Sequence, residues 1–330
     1  MSKAKKPRVI ARTKAAAKVV ADPASLVKCE VSLGKGEWIA PSSCQVFYID
    51  ESAKFPNIDF EIKTDYSGQC EWSWVVTWIA KSCQQAQGKA RFTPRGGVVK
   101  FEERGSFTAE AKRWQANFAG KVLGGEVSVV VKAGSTTFKR KAFILAKNPA
   151  KEDVIAEIEE YLPKYEREVR LVKKIFKQET NYRHHYSDGM PLVSFDRGYG
   201  LGQATNPAPT YEQAWNWRKH VEYIVTSVLP GKIAMAKKYL KAHPYGDEEL
   251  DSESLVHYNG ANRHYYVWSD DVKRWVVNDA VICDPKESNK GWDAPAENDK
   301  KKTLEDLRSD SAKKPIYTGK CYVEHINSSN

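Results

Sequence analysis

The hydrophobic period of this chain changes from two to nearly four at the polar stretch Asn148-Pro-Ala-Lys-Glu-Asp153, and one layer type cannot serve both patterns. Upstream, Val27–Leu33, Gln45–Ile49, Ile58–Ile62, Glu71–Trp78, Gly97–Phe101, Glu126–Val131 and Thr136–Leu145 alternate in the manner of half-buried strands. Gly34-Lys-Gly36, Gly96-Gly97, Gly124-Gly125 and Ala133-Gly-Ser135 supply turns, the last joining two strands into a hairpin. Trp72, Trp74 and Trp78 share one strand face. Such a face either fills a core or offers a platform on which sugars stack.

Downstream, Asp153 can cap a helix running to Leu162, and Pro163 suits the first turn of the next one. In that second helix Val169, Val172, Ile175 and Phe176 fall on one face, and Glu179 follows Phe176 by one helical turn on the same side. A carboxyl group there loses hydration of its charged form, so its pKa should rise and it could act as an acid. The alternative is a solvated residue at a frayed helix end. The segment Asp188–Gly202, with Gly198-Tyr-Gly-Leu-Gly202, reads as a long irregular loop whose glycines admit a bulky ligand, and the Gln203 amide could serve an N-acetyl group. Helices follow at Tyr211–Val228, Lys232–Ala242 and Asp247–Tyr258, the first two separated by Pro230-Gly231. The tail beyond Asp270 is mixed and charged, with Trp275–Val277 and Cys321–Val323 as apolar islands and Asp293–Lys314 as a polar surface excursion.

At 330 residues the chain accommodates two domains. Its net charge of +10 favours an anionic partner. Much of that charge lies in a basic leader, residues 1–24, which reads most simply as a solvated, flexible tail and is too interrupted to be a secretory signal, so that work outside the cytoplasm would need a route other than general secretion. No apolar run reaches the roughly 20 residues of a membrane span. Elsewhere the basic residues are interspersed with acids, which argues against a nucleic-acid interface. The six cysteines lack metal-ligand spacing and are compatible with intradomain disulfides or with buried thiols. The disulfide reading pairs Cys283 with Cys321, the two in the second half.

Three motifs carry a resemblance. Glu179-Thr180 with Tyr182, Gly200-Leu-Gly-Gln203 within Asp196–Gln203, and His257-Tyr258-Asn259 resemble, in order and spacing, the lysozyme superfamily, specifically goose-type lysozymes and soluble lytic transglycosylases. Gly202 stands where those families carry Met, and Thr205 and Asn206 stand near where some goose-type enzymes carry a second Asp. Residues 25–147 are similar in pattern to an immunoglobulin-like sandwich. The expected fold is therefore an all-β immunoglobulin-like sandwich (25–147), for binding or docking, followed by a mainly α lysozyme-like catalytic domain with a C-terminal extension (148–330).

The resemblance implies a cofactor-free enzyme in which Glu179 protonates the glycosidic oxygen between N-acetylmuramic acid and N-acetylglucosamine in peptidoglycan. Asp196 or Asp188 would position water, or merely brace the loop; Tyr199, Gly200, Leu201, Gln203, Tyr258 and Asn259 would bind sugar or hold the acid. His184 and His185, just past the motif, have no carboxylate at metal-ligand spacing. Lytic transglycosylation, which yields anhydro ends, and a non-catalytic glycan-binding protein are the alternatives. The expected setting is the periplasmic cell wall, reached through a secretion machine or phage lysis that the sandwich could engage, with a cognate immunity protein as a further partner.

Overall fold

The structure is a computed structural model and describes residues 37–83, 91–260, 262–287, 289–293, 303–310 and 314–328. The basic leader, the expected strand Val27–Leu33 and most of 293–314 lie outside them. The first half forms β1 (Glu37–Ala40), β2 (Gln45–Ile49), β3 (Asp59–Lys63), β4 (Cys70–Ala80), the short pair β5 (Ser82–Cys83) and β6 (Arg91–Phe92), β7 (Val99–Ala109), β8 (Arg113–Gln115), β9 (Gly125–Ala133) and β10 (Thr136–Ala146). A five-stranded sheet has the order β2-β10-β9-β4-β7, with β2 parallel to β10 and every other pair antiparallel. A smaller antiparallel sheet, β1-β3-β8, lies against it.

The period of two in β4 turns Trp72, Trp74, Val76 and Trp78 to the same side, and all four are buried. The tryptophans are core, not an exposed sugar platform. The small sheet covers only one end of this face. Trp72 and Trp74 pack against Trp114 of β8, with ring centroids 6.3 and 6.4 Å apart. Trp78, at the other end, meets Tyr199, Tyr211 and Trp215 at 6.1, 6.5 and 5.6 Å, and all three come from the second half.

The second half contains α1 (Lys151–Glu159), α2 (Glu166–Thr180), α3 (Tyr211–Trp215), α4 (Trp217–Tyr223), a π-helical turn (Ile224–Val228), α5 (Leu229–Leu240) and α6 (Asp247–Tyr258). It continues with β11 (Tyr266–Ser269), β12 (Arg274–Val277), β13 (Val281–Cys283), β14 (Lys290–Asp293), α7 (Leu304–Ser309), β15 (Ile316–Tyr317) and α8 (Gly319–Ser328). Pro230 and Gly231 lie inside α5 and do not separate two helices; the wider π turn just before them relieves the clash of the proline ring with the preceding turn. Asp153 sits in the first turn of α1, one turn after the cap position at Ala150.

These features overturn the expected all-β sandwich followed by a mainly α domain. Helix and strand each make up 31% of the described residues, and the second half carries the β11-β12 hairpin and the sheet β13-β14-β15. The physical reason is the length of the five-stranded sheet's apolar face, which the three-stranded sheet is too small to cover. Each large side chain left in water there would forfeit about 1.5–3 kcal/mol of burial, so residues 193–215 complete the cover. Hydrogen bonds fix the join: the Tyr211 hydroxyl donates to Gly124 O, Trp217 Nε1 to Glu51 O, and the Asn148 side chain accepts from the amides of His184 and His185. Among the described residues no helix is long and apolar enough to cross a membrane.

Candidate active site around Glu179

Val169, Leu171, Val172, Ile175 and Phe176 anchor α2 in the helical core, which places Glu179 in its last turn. The helix stops at Asn181 in the left-handed region (φ 51°), and Tyr182 N donates to Phe176 O at 3.1 Å. This closure satisfies carbonyls that have no helical partner, and Asn is one of the few residues that tolerates the conformation. Thr180 Oγ1 donates to Leu201 O at 2.9 Å and ties the helix end to the glycine-rich loop.

That loop is held from two sides. Leu201 N donates to His184 Nδ1 and Gly202 N to His220 Nε2, both at 3.3 Å, while His184 Nε2 faces Ala214 O at 2.9 Å and His220 Nδ1 faces Gln213 O at 3.1 Å. Each ring accepts from the loop and donates behind, the pattern of a neutral imidazole. Burial keeps both rings and the adjacent His185 well below the ordinary histidine pKa, His185 at about 3 and His220 at about 4. His184 is thus part of the scaffold, with the His185 ring buried beside it, and among the described residues no three His, Cys, Asp or Glu side chains are arranged to hold a metal ion.

From the sheet side, Arg95 N donates to Phe195 O at 2.7 Å, and the Arg197 guanidinium donates to the carbonyls of Gly96 and Gly97. The turn expected at Gly96-Gly97 therefore clasps the loop beside Asp196. Ser194 Oγ donates to the Asp196 carboxylate. Gly200 is required where it stands: its φ is +60°, and a Cβ would lie 2.4 Å from His184 Cε1.

At the meeting point the Tyr258 hydroxyl, from the last residue of α6, donates to Gly202 O. A Cβ on Gly202 would lie 2.7 Å from that hydroxyl and 3.0 Å from Phe176 Cε1, which accounts for glycine where the resembled families carry Met. Glu179 retains some solvent-accessible surface although protein surrounds its carboxyl on most sides. Burial raises its pKa to about 7; a hydrogen bond from the Tyr322 hydroxyl at 2.7 Å opposes the shift, and the negative charge of Asp196 adds to it. A carboxyl group poised there holds a transferable proton at neutral pH.

The structure thus gathers Glu179, Gly200, Leu201, Gln203 and Tyr258 into one constellation, with Asp196 near enough for its charge to act on Glu179. Other expected residues have different surroundings. Asp188 accepts from Met190 N within its own turn, Tyr199 packs into the sheet core against Trp78 and Phe101, and Asn259 ends α6. Leu201 is fully buried, and Gln203 Nε2 donates to Gly200 O at 2.8 Å, so its amide nitrogen braces the loop. Tyr322 was not foreseen; its only signal was its place beside Cys321, whose expected bond to Cys283 is present. A polar hollow near Arg167, Arg170 and Lys237 lies at the other end of α2, where Arg167 and Arg170 are already paired with Asp247 and Asp251. No protein-family profile, curated protein or solved structure matches this chain.

Proposed function

We propose that the protein cleaves the glycan strands of peptidoglycan, with Glu179 as the general acid that protonates the oxygen between N-acetylmuramic acid and N-acetylglucosamine. The observation that carries this reading is the Glu179 carboxyl, raised to about 7 at the point where α2, the glycine loop and Tyr258 converge. A second carboxylate whose charge reaches the first favours hydrolysis: Asp196 would orient water while Glu179 gives up its proton, the division of labour of an inverting glycosidase. On this reading the protein acts on the periplasmic wall, and its net charge of +10 suits an anionic polymer.

The test is incubation with purified sacculi followed by mass analysis of soluble fragments. Wild type releases muropeptides with reducing ends, and Glu179→Gln releases none above background. Equal release by the two proteins removes Glu179 from the chemistry. Anhydro ends that persist in Asp196→Asn would instead assign transglycosylation, in which the muramyl 6-hydroxyl takes the place of water.

A further inference from the structure

Glu179 receives a hydrogen bond from a residue 143 positions away in sequence, Tyr322 of α8. Only Oε1 of the carboxyl is engaged; among the described residues Oε2 has no protein hydrogen bond. Two phenols and one carboxylate face the group: Tyr322 from α8, Tyr258 from α6 and Asp196 from the loop. Tyr258 has committed its proton to Gly202 O, so Tyr322 is the neighbour that can donate to the acid. Its own pKa lies far above the ordinary tyrosine value, chiefly through burial, and it remains a neutral donor at any working pH.

What holds Tyr322 there is local and covalent. α8 has ten residues, too few to be a stable helix alone. Thr318 Oγ1 accepts from Cys321 N at 3.0 Å and caps its start, and Val323 and Ile326 pack in the helical core. Cys321, adjacent to Tyr322, is bonded to Cys283 of β13. Gly291 of β14 leaves the room this requires, because a Cβ there would lie 2.7 Å from Cys321 Sγ.

We propose that Tyr322, pinned by the Cys283–Cys321 disulfide, is the positioning residue of the acid: it grips Oε1, leaves Oε2 to carry the transferable proton and sets the pH at which that proton is held. The inference rests on the reading of Glu179 as a general acid. A phenol that donates to a carboxylate stabilises the charged form, so its removal raises the carboxyl pKa. Opening the disulfide with a dithiol transfers two electrons and two protons, yields two protein thiols and a cyclic disulfide, and frees the turn that carries Tyr322.

The experiment follows the infrared carboxyl band of Glu179, identified as the band missing in Glu179→Gln, across pH in the full-length protein. Circular dichroism checks that each variant is folded. In wild type the band titrates near pH 7; in Tyr322→Phe, which keeps the ring and its packing, the midpoint rises by roughly one pH unit. The same midpoint in both proteins overturns the positioning role. Cys283→Ser/Cys321→Ser must also depart from the wild-type midpoint, and an unchanged value there removes the disulfide from the account. Cleavage of sacculi with an unmoved midpoint sinks this inference and leaves the proposed function standing. A moved midpoint without cleavage removes the proposed function and with it the acid that Tyr322 would position, leaving only the Tyr322–Glu179 contact.

Discussion

The side of the helix that Glu179 takes was legible from spacing, because Phe176 and Glu179 lie one turn apart and Val169, Val172 and Ile175 identify the buried face, but spacing alone did not separate a buried acid from a solvated residue at a frayed helix end. Tyr322 was not legible, because nothing in local periodicity pairs two residues 143 positions apart. The same limit applies at Gly202. Its role beside the half-buried Tyr258 depends on α6 crossing the loop, and the sequence shows only a departure from a motif. Gly202→Ala should therefore destabilise the fold by about 1–3 kcal/mol, since the added methyl meets the Tyr258 hydroxyl, Phe176 and Ile224. Chemical denaturation measures this directly. A midpoint equal to wild type would show that the loop can shift to make room.

Among the elements, those with strong periodicity formed where expected. The strand about Glu71–Trp78 became β4 (Cys70–Ala80), and α6 spans Asp247–Tyr258 as read. Pro230-Gly231 misled because a π turn, which has no propensity signature, makes a proline tolerable inside a helix. The pair His184-His185 was equally opaque, since its partner His220 and the amides of Leu201 and Gly202 come from other parts of the chain. These buried rings give the loop a pH dependence. They are neutral in the fold, with pKa values lowered from 6.5, so the unfolded chain binds protons that the folded one refuses. The stability they contribute is complete above about pH 6.5 and is lost as pH falls toward about 4, by up to about 1.4 kcal/mol per pH unit for each ring. Urea midpoints taken from pH 7 to pH 4 should fall steadily. A flat profile to pH 5 would mean that the rings are not buried as described.

For the molecule as a whole, two periods in one sequence suggested two cores, and a helical and a sheet core are both present. The sheet core is completed by Tyr199, Tyr211 and Trp215 from beyond the β-to-α transition, an arrangement set by how much apolar face the small sheet leaves uncovered. Areas of uncovered face cannot be read from alternation. Trp78→Ala should cost about 3–5 kcal/mol and loosen the glycine loop along with the sheet, because Trp78 touches both. Scanning calorimetry of the whole chain should show one cooperative transition. Two well-separated transitions, with Trp78→Ala moving only one of them, would argue against the shared core.

On the proposed reading Glu179, held protonated to about pH 7, gives its proton to the glycosidic oxygen while Asp196 orients water. The most direct measurement is the initial rate of fragment release from purified sacculi as a function of pH, with wild type and Glu179→Gln run side by side. The wild-type rate should fall as pH rises through about 7, following loss of the Glu179 proton, and Glu179→Gln should stay at background throughout. A rate that holds level from pH 6 to pH 9, or a Glu179→Gln profile that overlays wild type, would contradict it.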